Sequence, residues 1–577
     1  MEDEQEGSVD NLDLESAYVL AKVNFDCANY KNALSCINRA ITLAPKTGFL
    51  YFDRAIINVK LNMPQQVFDD LRQSKQVEPF DANSAVNAAV MYMEYGEFKL
   101  ALDEFDDIEN RKPEEVQKPN FYILRARALC LFMNKQKQEG VYGTDTSPEL
   151  SEANKICERI FDDITLALEL DSDYKYFSLW NVIENQCESC NCWSDTNIKD
   201  TLRRIFICVY AIRMLHLPVD KMLVHYTKMG TLTSIFKAHQ PPINFAPVSF
   251  SGNLLASFNL AQDNQHRREN ESVNKLIFRA YNACYMNDPE EGNILCGVLA
   301  KHLVNNTDID AFNKYWESLF STANDLRESD TYLLCCSGDS LSDKLPMWSL
   351  YGGNGTGCCF SFSKEALLAA IRMSEQEISG DDSSQLDSSD NKYPNLSGIY
   401  NSKNSPELLS VFYPSKGKQA YIGRYFYEKL ACLMLSVISN NKDELQNLRD
   451  LKQEADSSDG DEKMFRLKSR KTQKKKINNL VQMMIDQIRF LYKDSSYEHE
   501  KERRLVRFSD KKDGRVKLDE PKTNGDIPRL YVDIETNIDY ADVSVTLGPK
   551  VENPQAVAAY LKFVGVGDVR KSIIQFR

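Results

Sequence analysis

The segment "YKNALSCINRAITLAP" (residues 30–45) decides how the first third of the chain is read, because its pattern returns. Residues 98–113, "FKLALDEFDDIENRKP", carry the same small and then large residue ahead of a proline, with Ile108 at the last small position. Pro45, Pro79 and Pro113 stand 34 residues apart. Twelve residues before each proline are Ala33, Val67 and Ala101; eight before are Ile37, Leu71 and Phe105; five before are Ala40, Ser74 and Ile108. A small residue lets two helices approach, a large one fills the space between them, and proline closes the second helix. The middle copy departs from this pattern at Val67 and Ser74.

Residues 14–115 therefore resemble the tetratricopeptide repeat family. A fourth helical pair is expected from "NFYILRARALCLFMNK" and "SEANKICERIFDDITLALEL", with a polar loop over 135–150 between them. Apolar residues at helical spacing in "TLRRIFICVYAIRMLHL" extend the helical stretch to Leu217. The first region is thus read as an α-solenoid over 14–217, after an acidic tail over 1–13. Stacked helical pairs leave a concave groove suited to a peptide or a partner protein.

The chain has 577 residues and is 42% hydrophobic, enough for more than one core. Its net charge of −14 argues against a general nucleic-acid binder. No apolar run reaches the roughly 18 to 20 residues of a membrane helix, and "MEDEQEGSVDNLDLES" has no apolar core of an export signal. A cytoplasmic, reducing location follows as the expectation, with the 15 cysteines as free thiols. Cys187, Cys190 and Cys192 lack a second ligand pair at zinc-site spacing, so no metal is assigned.

After Pro218 the pattern changes to a mixed α/β region over 218–577, giving an α+β multidomain chain. "KMLVHYT" reads as a strand and "MGTLTSIFKA" as a helix. Helices are expected near 272–283, 291–304 and 309–325, and "TYLLCCSG" as a buried strand. "LPMWSLYGGNGTGCCFSFS" reads as a hairpin-like unit turning on its glycines. Polar insertions are expected at 374–395 and 452–476, the latter ending in the basic linker "RLKSRKTQKKK" (466–476), which could touch nucleic acid. The helix "INNLVQMMIDQIRFLYK" leads into "YEHEKERRLVRF" (497–508), read as the start of a core strand with Glu500 and Glu502 on one face. Strands "RLYVDIE" and "VSVTLGP" follow.

"MWSLYGGNGTGCCFSF" with "YEHEKERRLV", and "YMNDPEEG" between them and the first strand, resemble a bacterial family of uncharacterised, defence-associated domains. That family carries MWxxYxxxxxG and a distant ExExR. The order of His225, an aromatic residue and a late glutamate further resembles His-Tyr-Glu ADP-ribosyltransferases. The resemblance implies an ADP-ribosyltransferase-like fold that uses NAD as substrate. His225 would then bind the adenosine ribose, and Tyr226 and the backbone near Thr227 the nicotinamide amide. Trp348 or Tyr351 would stack on the nicotinamide ring, and Arg503 would join the NAD contacts. Glu502 would be the catalytic carboxylate and Glu500 would orient the acceptor. A fixed carboxylate stabilises the positive charge that builds on a sugar as its glycosidic bond breaks.

Three functions compete on this reading. One is an NAD-using effector or anti-phage toxin whose repeats choose the target; it requires Trp348 and Tyr351 to line one pocket with His225. The second is a non-enzymatic recognition protein with its partner in the repeat groove. The third is a metal-dependent nuclease, disfavoured because no lysine stands two residues after Glu498 or Glu500.

Overall fold

The computed structural model describes residues 9, 11–139, 148–172, 177, 180–181, 183–184, 196–236, 275–286, 290–320, 331–368, 407–414, 423–454, 460–508, 516–519 and 527–575. The insertion over 374–395, Cys187, Cys190, Cys192 and residues 287–289 lie outside them. The chain divides into two compact units, Met1–Tyr174 and Lys175–Arg577.

The first unit is a run of helical hairpins. Its helices are α1 (Leu14–Asp26), α2 (Tyr30–Leu43), α3 (Gly48–Lys60), α4 (Pro64–Val77), α5 (Ala82–Glu94), α6 (Phe98–Arg111), α7 (Pro119–Gln138) and α8 (Pro148–Leu170). Leu14, Gly48 and Ala82 open the first helices of three hairpins, and Tyr30, Pro64 and Phe98 open the second, each at the 34-residue interval. All nine repeat residues named above are buried. Ala33, Val67, Ala101, Leu71, Phe105, Ala40 and Ile108 have no exposed surface at all. The departure at Ser74 has a physical reason: its hydroxyl donates to the Gly48 carbonyl at 2.8 Å, fastening the two helices of its hairpin.

The turn inside each hairpin repeats as well. Ala28, Asn62 and Gly96, again 34 apart, hold left-handed backbone with φ of 59°, 55° and 75°. Glycine and asparagine adopt this conformation readily and alanine does not. In the fourth pair Arg125, 4% exposed, forks onto Asp163 at 2.6 and 3.0 Å and onto Glu109 at 2.5 Å. That ties α6, α7 and α8 together.

The second unit begins with α9 (Thr196–Leu215) and continues through β1 (Met222–Thr227), α10 (Met229–Ile235), β2 (Lys275–Asn282), α11 (Ile294–Ala300), α12 (Asn306–Phe320), β3 (Thr331–Gly338), α13 (Leu345–Leu350) and β4 (Cys358–Ser363). Then come β5 (Glu407–Ser410), α14 (Arg424–Glu454), α15 (Gly460–Arg489), β6 (Glu502–Phe508), β7 (Val516–Asp519), β8 (Arg529–Asp539), β9 (Ser544–Leu547), α16 (Pro554–Phe563) and β10 (Asp568–Lys571). The helix α9, expected as part of the solenoid, packs instead on α14 and α15 within this unit.

The strands run β10-β9-β4-β1-β3-β2-β8-β7, with β6 joined to β3 and β5. The strand β6 covers one edge of β3 from Thr331 to Ser337. The other edge is shared: β2 pairs at Tyr332 and Leu333, β1 at Ser337 and Gly338. The sheet therefore splits into two wings around the middle of β3. The wings face each other, since Phe278 of β2 lies 5.8 Å from Phe360 and 5.1 Å from Phe362 of β4. Between them lies a core of Leu223, Leu334, Leu505, Ile534 and Val545, all buried.

Three local readings are corrected. Residues 275–282 form a strand, not a helix: Leu276, Phe278 and Ala280 are buried while Arg279 between them is exposed, a period of two. "LPMWSL" is a short helix, with Pro346 at its start, rather than a hairpin arm. The basic run 466–476 lies within α15 rather than in a linker.

Ala28 should carry removable backbone strain. Ala28→Gly is expected to raise stability by about 0.5–1 kcal/mol, the relief of left-handed strain less the added chain entropy. Thermal unfolding of the full chain followed by far-UV circular dichroism checks this.

Candidate functional site

The stretch from Lys493 to Arg504 folds locally in three steps. Asp494 caps a tight 3-10 turn, Ser495–Glu500, by accepting from the Ser496 N–H at 2.9 Å. Lys501 then adopts left-handed backbone, φ 41°, and β6 begins at Glu502. Glu500 is thus on the turn and not on a strand, contrary to the sequence expectation. The left-handed residue nevertheless brings both carboxylates to one cation: Lys493 Nζ donates to Glu500 at 2.6 Å and to Glu502 at 3.4 Å.

Arg504, two residues along the same strand face, completes the cluster. Its Nε and Nη2 fork onto the two oxygens of Glu502, both at 2.9 Å. Its Nη1 donates to the Phe490 carbonyl and pairs with Glu291. The Tyr351 hydroxyl donates to Glu500, and the Glu502 N–H donates to the Tyr413 hydroxyl at 2.9 Å. Every charge here is buried, with Arg504 at 0%, Glu500 at 2%, Lys493 at 5% and Glu502 at 6% exposure.

Burial pushes the Glu502 carboxyl up, but the charge and hydrogen bonds of Arg504, with Lys493 behind them, outweigh it and hold the group down at about 2. Burial raises Glu291, against the pull of Arg504. Burial and then the Glu500 bond raise the Tyr351 hydroxyl, so it remains a donor at neutral pH. Glu502 is an ionised carboxylate with both oxygens occupied. To meet a developing positive charge on a sugar it would have to release Arg504.

The other expected site residues separate by sheet face. Tyr226 and Trp348 pack edge to face at 4.9 Å, with Tyr351 beside them, on the side of the sheet that carries Glu502. The Tyr226 hydroxyl donates to the Leu341 carbonyl at 2.7 Å, and Trp348 Nε1 donates to Asp343 at 2.7 Å. His225 pairs in register with Phe360 and packs against Phe278 and Phe360 in the core on the opposite side. It therefore lines no pocket with Trp348 and Tyr351. Its Nδ1 lies 2.9 Å from the Cys335 carbonyl, at the middle of β3 where β1 and β2 part. A carbonyl only accepts, so Nδ1 carries the proton and the ring fills the split as a neutral imidazole. Burial lowers its basicity, more than the Cys335 carbonyl bond raises it. Thr227 pairs with Cys358, and its carbonyl is so close to Gly357 that a Cβ there would sit at 2.1 Å. Arg503, on the strand face opposite Glu502, donates through Nε to Asp220 at 2.6 Å.

Lys493, Glu291 and Tyr413 were not singled out from sequence; Arg504 is the arginine of the ExExR pattern, whose plain reading as an ion-paired strand is the one the structure shows. Glu291 stands in the quoted "NDPEEG" stretch, and Lys493 directly follows the apolar "FLY" (490–492), where a lysine signals a buried partner.

Residues 347–505 match the model of a family described as a protein of unknown function, DUF2971. The match runs from the α13 tryptophan turn to the Glu502–Arg504 strand, the two ends that Tyr351 and Glu500 join. No curated protein matches the chain. Among solved structures, two of MamA align at 15% and 14% identity, each with a TM-score of 0.22. They cover 28% and 30% of this chain and 79% of their own. The P58(IPK) TPR domain aligns at 14% identity and a TM-score of 0.20, over 35% of this chain and 54% of that one. No helix among the described residues is long and apolar enough to cross a membrane.

Two outcomes test this site. Glu502→Gln removes the carboxylate that Arg504 Nε and Nη2 and Lys493 share in the buried cluster, and is expected to cost about 3–5 kcal/mol in urea unfolding. The His225 imidazole is less basic folded than unfolded, so the unfolded chain binds the extra proton as pH falls. Its contribution to stability is complete above the unfolded value near 6.5 and declines below it. The drop in melting temperature from pH 7.5 to 5.5 should be smaller in His225→Gln than in the wild type.

Proposed function

We propose that the protein is a recognition protein whose helical hairpins bind a peptide segment of a partner. The observation that carries this is the face shared by α1, α3 and α5. Tyr18, Phe52 and Val86 stand one repeat apart on these first helices, followed by Ile56 and Val90 one turn further on. None of the five is fully buried. A solenoid that keeps apolar side chains half-exposed at equivalent places offers a regular strip to an extended or helical ligand.

The arrangement does not suit an ADP-ribosyltransferase. It needs His225, an aromatic ring and Glu502 around one NAD molecule. His225 fills the sheet split on the far side, and Glu502 is held by Arg504. The buried cluster supports a structural role for the DUF2971-matching segment, in which ion pairs fasten the α13 turn, the end of α15 and β6.

A displayed library of random 16-residue peptides, panned on the full chain, tests the binding reading. A shared sequence motif should be enriched, and the enriched peptide should lose about tenfold or more in affinity against Val90→Asp, whose charge would interrupt the apolar strip. Enrichment of nothing would remove the reading.

A further inference from the structure

The net charge is not spread evenly. Residues 1–174 account for the whole of the −14, and residues 175–577 carry as many basic as acidic side chains. Within the first unit most acids are exposed or paired with a cation, as Asp70 is with Arg54 and Asp163 with Arg125. Asp53 is neither. It lies on α3 between Phe52 and Ile56 in the half-exposed strip, one repeat after Val19 and one before Asn87. It is thus the one acid in its series of equivalent positions.

The surroundings of Asp53 are arranged around it. The Tyr18 hydroxyl on α1 donates to Asp53 Oδ2 at 2.8 Å. The Tyr18 ring meets Phe49 of α3 edge to face at 5.5 Å, so two aromatic rings stand beside the carboxylate. The basic group acting on it is Lys22, whose ammonium is 5.8 Å from the Tyr18 ring centroid and forms no ion pair with Asp53. Burial raises the Asp53 carboxyl to about 6, more than the Tyr18 bond and Lys22 lower it. A desolvated carboxylate without a paired cation, walled by two aromatic rings, is an environment that favours an incoming ammonium or guanidinium.

Building on the peptide-binding reading above, we infer that Asp53, Tyr18 and Phe49 form a subsite, between α1 and α3, for a lysine or arginine side chain of a basic, amphipathic partner segment. The carboxylate pairs with the cation, the rings cover its stem and charge, and the apolar strip of Phe52, Ile56 and Val90 takes the partner's apolar side chains. The overall negative charge of this unit speeds the approach of a basic segment.

The enriched peptides of the same library provide the probe. They should share a lysine or arginine at one fixed position relative to their apolar residues. Changing that residue to glutamine should weaken binding to the wild type about tenfold, as measured by fluorescence anisotropy. Asp53→Asn, which keeps an acceptor for Tyr18, should weaken the parent peptide by a similar factor. It should leave the glutamine peptide's affinity nearly unchanged, so that the two changes are coupled and not additive. Additive effects of Asp53→Asn and the glutamine change, or enriched peptides with no fixed basic residue, would overturn the subsite while leaving the groove reading intact. Failure to enrich any peptide would overturn both. Melting temperatures of the variants confirm that they are folded.

Discussion

Arg504 is the residue on which the second unit most depends. A guanidinium with no exposed surface has exchanged all its water for protein acceptors, and each of those acceptors belongs to a different part of the chain. Glu502 comes from its own strand, the Phe490 carbonyl from the end of the long helix α15, and Glu291 from the turn before α11. Desolvating an arginine costs several kcal/mol, and only a complete set of partners offsets it. The charge therefore tolerates one arrangement of these segments. Lys493 extends the same logic to Glu500, and through Glu500 to Tyr351 and the glycine turn. Gly352 has to be glycine there, because a Cβ would meet the Trp348 ring at 2.4 Å.

On the other side of the sheet the governing constraint is the divided edge of β3. Two strands share one partner, which leaves a carbonyl in the middle with no strand opposite it. His225 answers that need with an imidazole N–H, and the aromatic residues of both wings close around it. One short strand thus sends neighbouring residues to different tasks: His225 into the apolar core and Tyr226 toward the tryptophan turn.

Much of this could be read in the sequence, and the rest could not for identifiable reasons. The hairpins were legible because nine buried positions recur at a fixed interval, which chance seldom imitates. The strands β1, β3, β4, β8 and β9 were legible as short apolar runs, and β6 by the apolar residues that follow its charged start. In β2 the helix and strand patterns overlap in "KLIFRAYN", and only strict alternation separates them. The resemblance gathered His225, Tyr351 and Glu502 by their order along the chain, but order does not say which face of a sheet a residue occupies. A single register step sends a neighbour to the opposite side. The arginine of ExExR was legible as a partner of its glutamates, but Lys493 was passed over because a basic residue near glutamates reads as surface charge until its burial is known.

The three left-handed turns carry one further consequence. Gly96 and Asn62 accept that backbone with little strain, whereas Ala28 does not, so the first hairpin is the least comfortable of the three. In a linear stack each unit leans only on its neighbours, and amide exchange should find the opening events concentrated where the local free energy is lowest. That hairpin supplies Tyr18, and its contact with α3 is where Asp53 lies. An occupant at that junction would bridge two adjacent hairpins, so occupancy there would be written into the exchange rates of α1 and α2 before it was visible anywhere else in the molecule.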